Sequence, residues 1–178
     1  MSILGNVLSG EDFRNIALAV LGWYTISLSF TKEDHDETFM KTIICDIDGG
    51  SLTLLKKIFD AFSCFAIGVI LERLELLAEA LDEPDPWFES WMRFASSCLF
   101  GRKFFISEQG SMGLCPENYQ KGDIIVILLG CAVPLLLRPH DEGDYGLVGD
   151  VYLNGYMYGK GIDELNEGRV ELETFEIR

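Results

Sequence analysis

The sequence is poor in the residues that common metal and catalytic sites need. Its 178 residues contain two histidines, and the cysteines at positions 45, 64, 98, 115 and 131 form no C-x-x-C pair. This spacing excludes the usual zinc sites, and neither a G-x-S-x-G motif nor a local Cys–His signature is present. The odd number of cysteines and the lack of a secretory signal predict reduced, mostly buried thiols in a cytoplasmic protein.

Basic residues are also scarce. The 14 Lys and Arg residues face 29 Asp and Glu residues, which gives a formal net charge of -15. Such a chain repels phosphate backbones and anionic membrane surfaces, so we expect no nucleic-acid partner. The apolar runs at 61–71 and 124–137 are shorter than the roughly 20 residues that span a bilayer. A third run, at 16–30, follows acidic rather than basic residues, so it is no signal peptide and we expect no membrane contact.

The distribution of glycine divides the chain near residue 100. Residues 1–100 hold 6 of the 18 glycines, and residues 101–178 hold 12. Apolar residues at three- and four-residue steps predict helices at 52–83 and 86–100. The sequence therefore predicts an α+β fold in one compact unit. Its mainly helical part, residues 1–100, would pack on a small antiparallel, barrel-like sheet at residues 101–178.

Short apolar segments separated by glycine and proline predict the strands of that sheet. They lie at 102–107, 124–129, 133–138 and 145–153, and an alternating acidic and apolar pattern predicts an edge strand at 170–178. Residues 109–113 are interpreted as a turn. The acidic segment 31–38, which includes His35, is interpreted as a solvated loop. His140 is interpreted as a turn residue.

One local motif suggests an enzyme. A hydrophobic run at 40–45 leads to Asp46 and Asp48, which resembles the start of haloacid-dehalogenase-type phosphatases. There, one carboxylate attacks phosphorus and the other handles a proton beside bound magnesium, so both must emerge at the end of a strand. Gly50 stands where that family usually has Thr or Val, and residues 52–100 lack the alternating strands of a doubly wound sheet. A magnesium-dependent phosphatase is therefore the alternative hypothesis.

A longer collinear pattern points elsewhere. It joins the motifs Gly101-Arg102, Phe104-Phe105, Gly110, Gly113-Leu114, Pro116, Gly122-Asp123, Gly130, Pro134, Leu137-Arg138 and Leu147-Val148-Gly149, preceded by residues 38–46. This pattern resembles the C-terminal region of fungal heterokaryon-incompatibility (HET) proteins. Asp150 replaces the family's usual Glu. The HET domain that precedes this region in full-length members, and that is associated with cell death, has no counterpart in the 178 residues.

The resemblance implies structural roles for the signature residues and no catalytic, cofactor-binding or metal-binding site. These residues are Asp46, Arg102, Gly113, Gly122, Asp123, Arg138, Gly149, Asp150 and Gly155. If Arg102 and Arg138 are partly buried at strand ends, Asp123 or Asp150 would supply charge-assisted pairs. The glycines would serve turns with positive backbone angles or close approaches between strands.

The resemblance also implies a function. We expect a non-enzymatic regulatory or scaffold module in fungal self/nonself recognition, without a cofactor. It would contact a partner protein or a HET effector domain, through an exposed apolar patch such as one on the first helix, at 11–30. A truncated product without activity remains a further alternative.

Overall fold

The computed structural model describes residues 10–30, 35–46 and 95–178 of the chain. The chain divides into two compact units, residues 1–98 and residues 99–178. Helices form the described part of the first unit, and antiparallel strands dominate the second, which confirms the α+β fold class. The predicted helix at 52–83 lies outside the described residues. Of the helix predicted at 86–100, residues 95–99 are helical and residues 86–94 lie outside the described range.

The first unit begins with two helices that contact each other through aromatic rings. Helix α1 spans Gly10–Ser27, a 3-10 turn spans Leu28–Phe30, and helix α2 spans His35–Ile43. The ring of Tyr24 meets the ring of Phe39 edge-on, with the centroids 5.2 Å apart. Phe39 and Ile43, one helical turn apart, are fully buried. The spacing of apolar residues at i and i+4 thus gives α2 its buried face.

The interpretation of His35 as part of a solvated loop is wrong. His35 is the first residue of α2 and is 8% exposed. Asp36 and Glu37 occupy the first helical turn and Lys41 the last, which is the arrangement that the helix macrodipole favours. The charges that suggested a loop therefore stabilise the beginning of a helix.

The second unit contains six strands and one helix. They are β1 (Arg102–Ile106), β2 (Met112–Pro116), β3 (Ile124–Val126), β4 (Leu135–Pro139), β5 (Tyr145–Asp150), β6 (Tyr152–Leu153) and α3 (Lys160–Asn166). One sheet has the order β1-β2-β6 and the other the order β3-β4-β5, with all pairs antiparallel. Between Leu136 and Leu137 the pairing with β5 shifts, and Val148 is the extra residue of a bulge.

Both sheets contribute to one hydrophobic core. Its buried members are Cys115 of β2, Leu136 of β4, Val151 and Leu153, and they are surrounded by the partly buried residues Phe105, Ile125, Val148 and Tyr156. The chain passes from one sheet to the other at Val151, which is 1% exposed and donates its N–H to the Pro134 carbonyl at 2.9 Å. Residues 99–178 are all described, and their strands form two three-stranded sheets without a closed barrel.

Several predicted boundaries in the second unit are wrong. Residues 112 and 113, interpreted as part of a turn, begin β2, because pairing with β1 outweighs the low strand propensity of glycine. The predicted strand 145–153 is divided at Val151 between two sheets. In the predicted edge strand 170–178, only Ile177 forms a bridge, with Tyr145. Helix α3 carried no prediction.

The described ranges contain no helix that is both long enough and apolar enough to cross a membrane.

Candidate functional site

Arg138 and Asp123, two of the signature residues, form a bidentate ion pair. The guanidinium donates from Nε and Nη2 to the two carboxylate oxygens of Asp123, each at 2.9 Å. Nη2 also donates to the Asn118 carbonyl at 3.0 Å, and Asp123 accepts the Gln120 N–H at 2.8 Å. The Arg138 bonds hold the pKa of Asp123 below its usual range. Arg138 of β4 therefore fastens the connection between β2 and β3.

Burial makes this pair a structural element. The side chain of Asp123 is 3% exposed, while that of Arg138 is 29% exposed. A buried carboxylate is stable when its charge is paired and its lone pairs are bonded. Both conditions hold here, because Asp123 binds the guanidinium in a bidentate manner and also caps a backbone N–H. The charged groups of Asp123 and Arg138 are therefore used for bonds within the fold.

A second set of signature residues joins the two sheets. Arg102, at the start of β1, forms an ion pair with the Asp150 carboxylate at the end of β5 and donates from Nη1 to the Asp150 carbonyl at 3.2 Å. Beside this pair, a Cβ atom added at Gly149 would lie 2.8 Å from Cγ of Pro116. The absence of a side chain at Gly149 thus lets the proline ring of one sheet approach the backbone of the other.

The remaining signature glycines also have structural roles. Gly113 pairs with Phe105 across β1 and β2, and a Cβ atom there would lie 2.5 Å from the Tyr152 carbonyl oxygen. Gly122 and Gly155 have φ values of +103° and +82°, a region that side chains disfavour. Gly113 and Gly149 thus lie at close approaches, and Gly122 and Gly155 have positive backbone angles.

Asp46 does not occupy the position that phosphatase chemistry requires. It follows the end of helix α2 with φ +48°, and its N–H donates to the Lys41 carbonyl at 2.8 Å. This is the terminus of a helix, whereas the phosphatase alternative needs the end of a strand. Asp48 lies outside the described residues. Asp150, a signature residue of the second unit, is paired with Arg102.

The structure reveals a polar network around His35 that the sequence did not indicate. His35 Nε2 lies 2.9 Å from Ser27 Oγ, and Nδ1 lies 3.1 Å from Asp36 Oδ1. The Tyr24 hydroxyl donates to the same carboxylate at 2.8 Å, and burial, followed by the influence of Asp36, raises the pKa of Tyr24 to about 12. The four residues come from the end of α1 and the start of α2.

Ser27, His35 and Asp36 are linked in the order of a hydrolytic triad, but Ser27 is not accessible to a substrate. Ser27 is fully buried, and its hydroxyl donates to the Tyr24 carbonyl at 2.7 Å. A nucleophile must reach the substrate and pass its proton to the histidine. The bonding of Ser27 therefore indicates a role in joining the two helices.

A second His–Asp pair, His140 and Asp144, lies at the turn before β5. Asp144 is buried; its Oδ1 lies 2.9 Å from His140 Nδ1, and its Oδ2 forms an ion pair with Arg178, 3.2 Å from Nε. The turn itself is closed by the His140 N–H, which donates to the Asp144 carbonyl at 2.9 Å. His140 is thus a turn residue. The described ranges hold no group of three or more His, Cys, Asp or Glu side chains that could bind a metal ion.

The described cysteines are free thiols with different accessibility. Cys98 and Cys115 are buried, Cys45 is partly buried and Cys131 is exposed. Burial raises the pKa of Cys115 to about 11, so its reactive thiolate is rare at neutral pH.

We expect iodoacetamide to modify Cys131 rapidly in the native protein and Cys115 only after denaturation. Mass spectrometry of peptides from a time course at pH 8 measures both rates. The Cys131→Ser variant is the control that assigns the fast phase. Modification of Cys115 at the rate of Cys131 would show that the core of the second unit opens readily.

Several exposed apolar side chains lie in the segment after β3 or at the start of α3. We call Ile127, Leu129, Tyr158 and Ile162 the α3 surface; they are 38%, 61%, 79% and 38% exposed. A Cβ atom added at Gly161 would lie 2.6 Å from Ile127 Cδ1, so the first turn of α3 contacts the segment after β3. Tyr158 has φ +60° and precedes Gly159 at φ +90°. A tyrosine in this disfavoured conformation carries backbone strain.

Comparisons with known proteins agree with the signature. Residues 86–170 match the family model of the Het-6 beta-barrel domain. Over 66 residues the chain is 35% identical to "Heterokaryon incompatibility protein 6, OR allele" of Neurospora crassa, a match that covers 35% of this chain and 10% of the relative. The match thus spans about a tenth of that relative's length. No solved structure matches the chain significantly.

The matched segment contains all the signature contacts of the second unit. Arg138–Asp123, Arg102–Asp150 and the close approach of Pro116 to Gly149 all lie between residues 86 and 170. The resemblance to the C-terminal region of HET proteins is therefore confirmed, because residues 86–170 match the Het-6 beta-barrel domain and part of the chain is similar to a heterokaryon incompatibility protein.

Proposed function

We propose that this chain is a non-enzymatic regulatory or scaffold module in fungal heterokaryon incompatibility, and that it acts in the cytoplasm by contacting another protein. Its partner would be a HET effector domain, whose cell-death activity the module controls. Neither a nucleic acid, a membrane nor a cofactor takes part. The observation that carries this proposal is the α3 surface, an exposed apolar set with an aromatic residue at its most exposed point.

The state of the signature residues supports a role without catalysis. Arg138, Asp123, Arg102 and Asp150 are bonded to each other in pairs that hold strands together. A catalytic carboxylate or guanidinium must instead face a substrate. The charged signature residues thus use their polar groups to hold the strands together.

The composition of the α3 surface supports protein binding. Tyrosine is enriched among the residues that dominate binding energy, because it offers a large apolar ring and a polar hydroxyl. The backbone strain at Tyr158 is a cost that a binding role would explain. Asp163 and Glu167 are exposed on or just after α3, and Glu164 is partly exposed. A matching partner would therefore present an apolar pocket bordered by Lys or Arg.

The test is a binding experiment with a tagged HET effector domain and the full 178-residue chain. We expect retention of the chain, and at least a tenfold loss of affinity for Tyr158→Ala, because truncating a central aromatic anchor commonly costs about 2 kcal/mol. Calorimetry measures the affinity. Leu172→Ala is the matched control, since Leu172 is 67% exposed but lies outside the α3 surface.

Two results would contradict the proposal. One is the absence of binding to the effector domain, or binding that Tyr158→Ala leaves unchanged. The other is magnesium-dependent hydrolysis of p-nitrophenyl phosphate that Asp46→Asn abolishes, which would restore the phosphatase alternative.

A further inference from the structure

Between residues 15 and 29, helix α1 and the 3-10 turn after it share an exposed face without charged residues; Glu11, one helical turn before Asn15, lies outside this range. The residues of this face are exposed and recur at helical spacing, and they are Asn15, Leu18, Ala19, Gly22, Thr25, Ile26 and, in the following 3-10 turn, Ser29. Leu18 is 43% and Ile26 is 57% exposed. Solvent-facing helix surfaces are normally charged or polar, and 24% of the residues of this chain are charged. An uncharged face about 20 Å long is therefore a candidate interface.

The centre of this face is a gap. A Cβ atom added at Gly22 would have no neighbour within 4 Å among the described residues, so the packing of these residues does not require the glycine. Glycine in a helix interior costs roughly 1 kcal/mol relative to alanine. Leu18 and Ile26 lie one helical turn before and after it and form ridges on either side. A second helix could therefore approach the α1 backbone closely at Gly22.

The face is symmetric about Gly22. Equivalent residues lie at equal distances along the chain and have similar character: Ala19 and Thr25 at three residues, Leu18 and Ile26 at four, and Asn15 of α1 and Ser29 of the 3-10 turn at seven. In an antiparallel pair of identical helices that cross at Gly22, each small residue meets a small residue and each branched apolar residue meets another. The polar residues meet at the two ends. A surface that complements itself in this way is what a two-fold interface requires.

We infer that this face of α1 binds α1 of a second copy of the same chain, in antiparallel orientation with the Gly22 positions at the crossing point. The net charge of the chain favours an interface at this uncharged face. Two molecules of net charge -15 repel each other, and an uncharged face brings no additional like charges into contact. Antiparallel helices also place opposite dipole ends side by side. This inference is independent of the proposed function, which rests on residues 99–178.

The size of the face sets the expected affinity. One pair of four-turn helices buries less than the roughly 1,200 Å² typical of stable interfaces. We therefore expect a reversible dimer with a dissociation constant in the range of about 1–100 µM. Sedimentation velocity of the full chain across that concentration range should show the shift from monomer to dimer.

Two variants test the location of the interface. Gly22→Leu fills the crossing point, and Ile26→Asp places a charge on the apolar ridge. We expect each to raise the dissociation constant at least tenfold. Gly22→Leu should also fold normally, because the position is open and leucine favours helix; circular dichroism checks this. Leu172→Asp, which changes an exposed apolar residue of the other unit, is the control and should leave the dimer intact.

Orientation is tested with cysteines in a Cys131→Ser background. Copper-catalysed oxidation by dissolved oxygen of mixed Leu18→Cys and Ile26→Cys proteins should produce mainly the mixed disulfide. Predominance of the Leu18→Cys homodimer would overturn the antiparallel arrangement.

The inference is overturned if the wild-type chain stays monomeric over the whole range, or if Gly22→Leu dimerises as the wild type does. A monomer whose melting temperature falls with Ile26→Asp would overturn it as well, because the face would then be covered within its own chain.

Discussion

Replacing Gly113 with alanine is expected to lower the free energy of unfolding by about 3 kcal/mol, the upper part of the range for overpacked cores. The added methyl group would lie 2.5 Å from the Tyr152 carbonyl oxygen and would also meet the ring of Phe105. A ring can rotate, but the carbonyl belongs to the backbone of β6, which pairs with β2 at this position. Relief therefore requires the two strands to separate.

Chemical denaturation followed by circular dichroism measures this loss. Gly161→Ala is the matched control, because the nearest atoms to its added methyl group belong to the side chain of Ile127 rather than to backbone, with the flexible tip Cδ1 closest at 2.6 Å. In that case the helix preference of alanine should offset most of the strain, and the change should stay within about 1 kcal/mol. Adding Phe105→Ala to Gly113→Ala should not restore stability, since the carbonyl remains. Equal stability of Gly113→Ala and wild type would disprove the close approach.

Replacing Asp123 with asparagine is expected to cost about 2 kcal/mol at neutral pH, the typical contribution of hydrogen bonds to a charged group. Asparagine retains the shape of the side chain but cannot accept two charge-assisted bonds from Arg138. Asp150→Asn is the control. It alters an ion pair whose carboxylate is 56% exposed, and such pairs contribute roughly 0–1 kcal/mol.

The pH dependence of the stability difference between wild type and Asp123→Asn tests whether the carboxylate charge of Asp123 causes it. Arg138 lowers the pKa of Asp123 in the folded protein, so the ionised carboxylate stabilises the fold above the unfolded pKa of about 4. The contribution is lost as the pH falls through the folded pKa. The gap in stability between wild type and Asp123→Asn should therefore be constant from pH 6 to about 4 and shrink below it. A gap that is unchanged in acid would contradict the assignment.

The chemistry of single residues was easier to predict than their positions in the sheets. A partly buried arginine needs a carboxylate, so the sequence alone indicated partners for Arg102 and Arg138, and the structure contains both pairs. The division of residues 145–153 between two sheets depends on which strands meet in three dimensions. Apolar alternation along one segment carries no information about that choice.

The features that the sequence did not predict were missed for one physical reason. Met112 and Gly113 lack strand propensity. They enter β2 because Met112 pairs with β1 and Gly113 pairs with both β1 and β6. His35 is buried because Tyr24 and Phe39 enclose it, with ring centroids 5.4 Å and 6.4 Å away. Helix α3 is short, and its first turn lies against Ile127. In each case tertiary contacts decide the outcome.

The position of β6 also determines when the two sheets can form during synthesis. Strand β2 is made early, but its second neighbour, β6, follows only after β3, β4 and β5. At ribosomal rates of roughly 5 to 20 residues per second, one edge of β2 has no strand partner from this unit for a few seconds. The β3-β4-β5 sheet is meanwhile continuous in sequence and can assemble first. The second unit can thus form its β3-β4-β5 sheet before its β1-β2-β6 sheet is complete. During this interval the unpaired edge of β2 makes it the strand at greatest risk of aggregation.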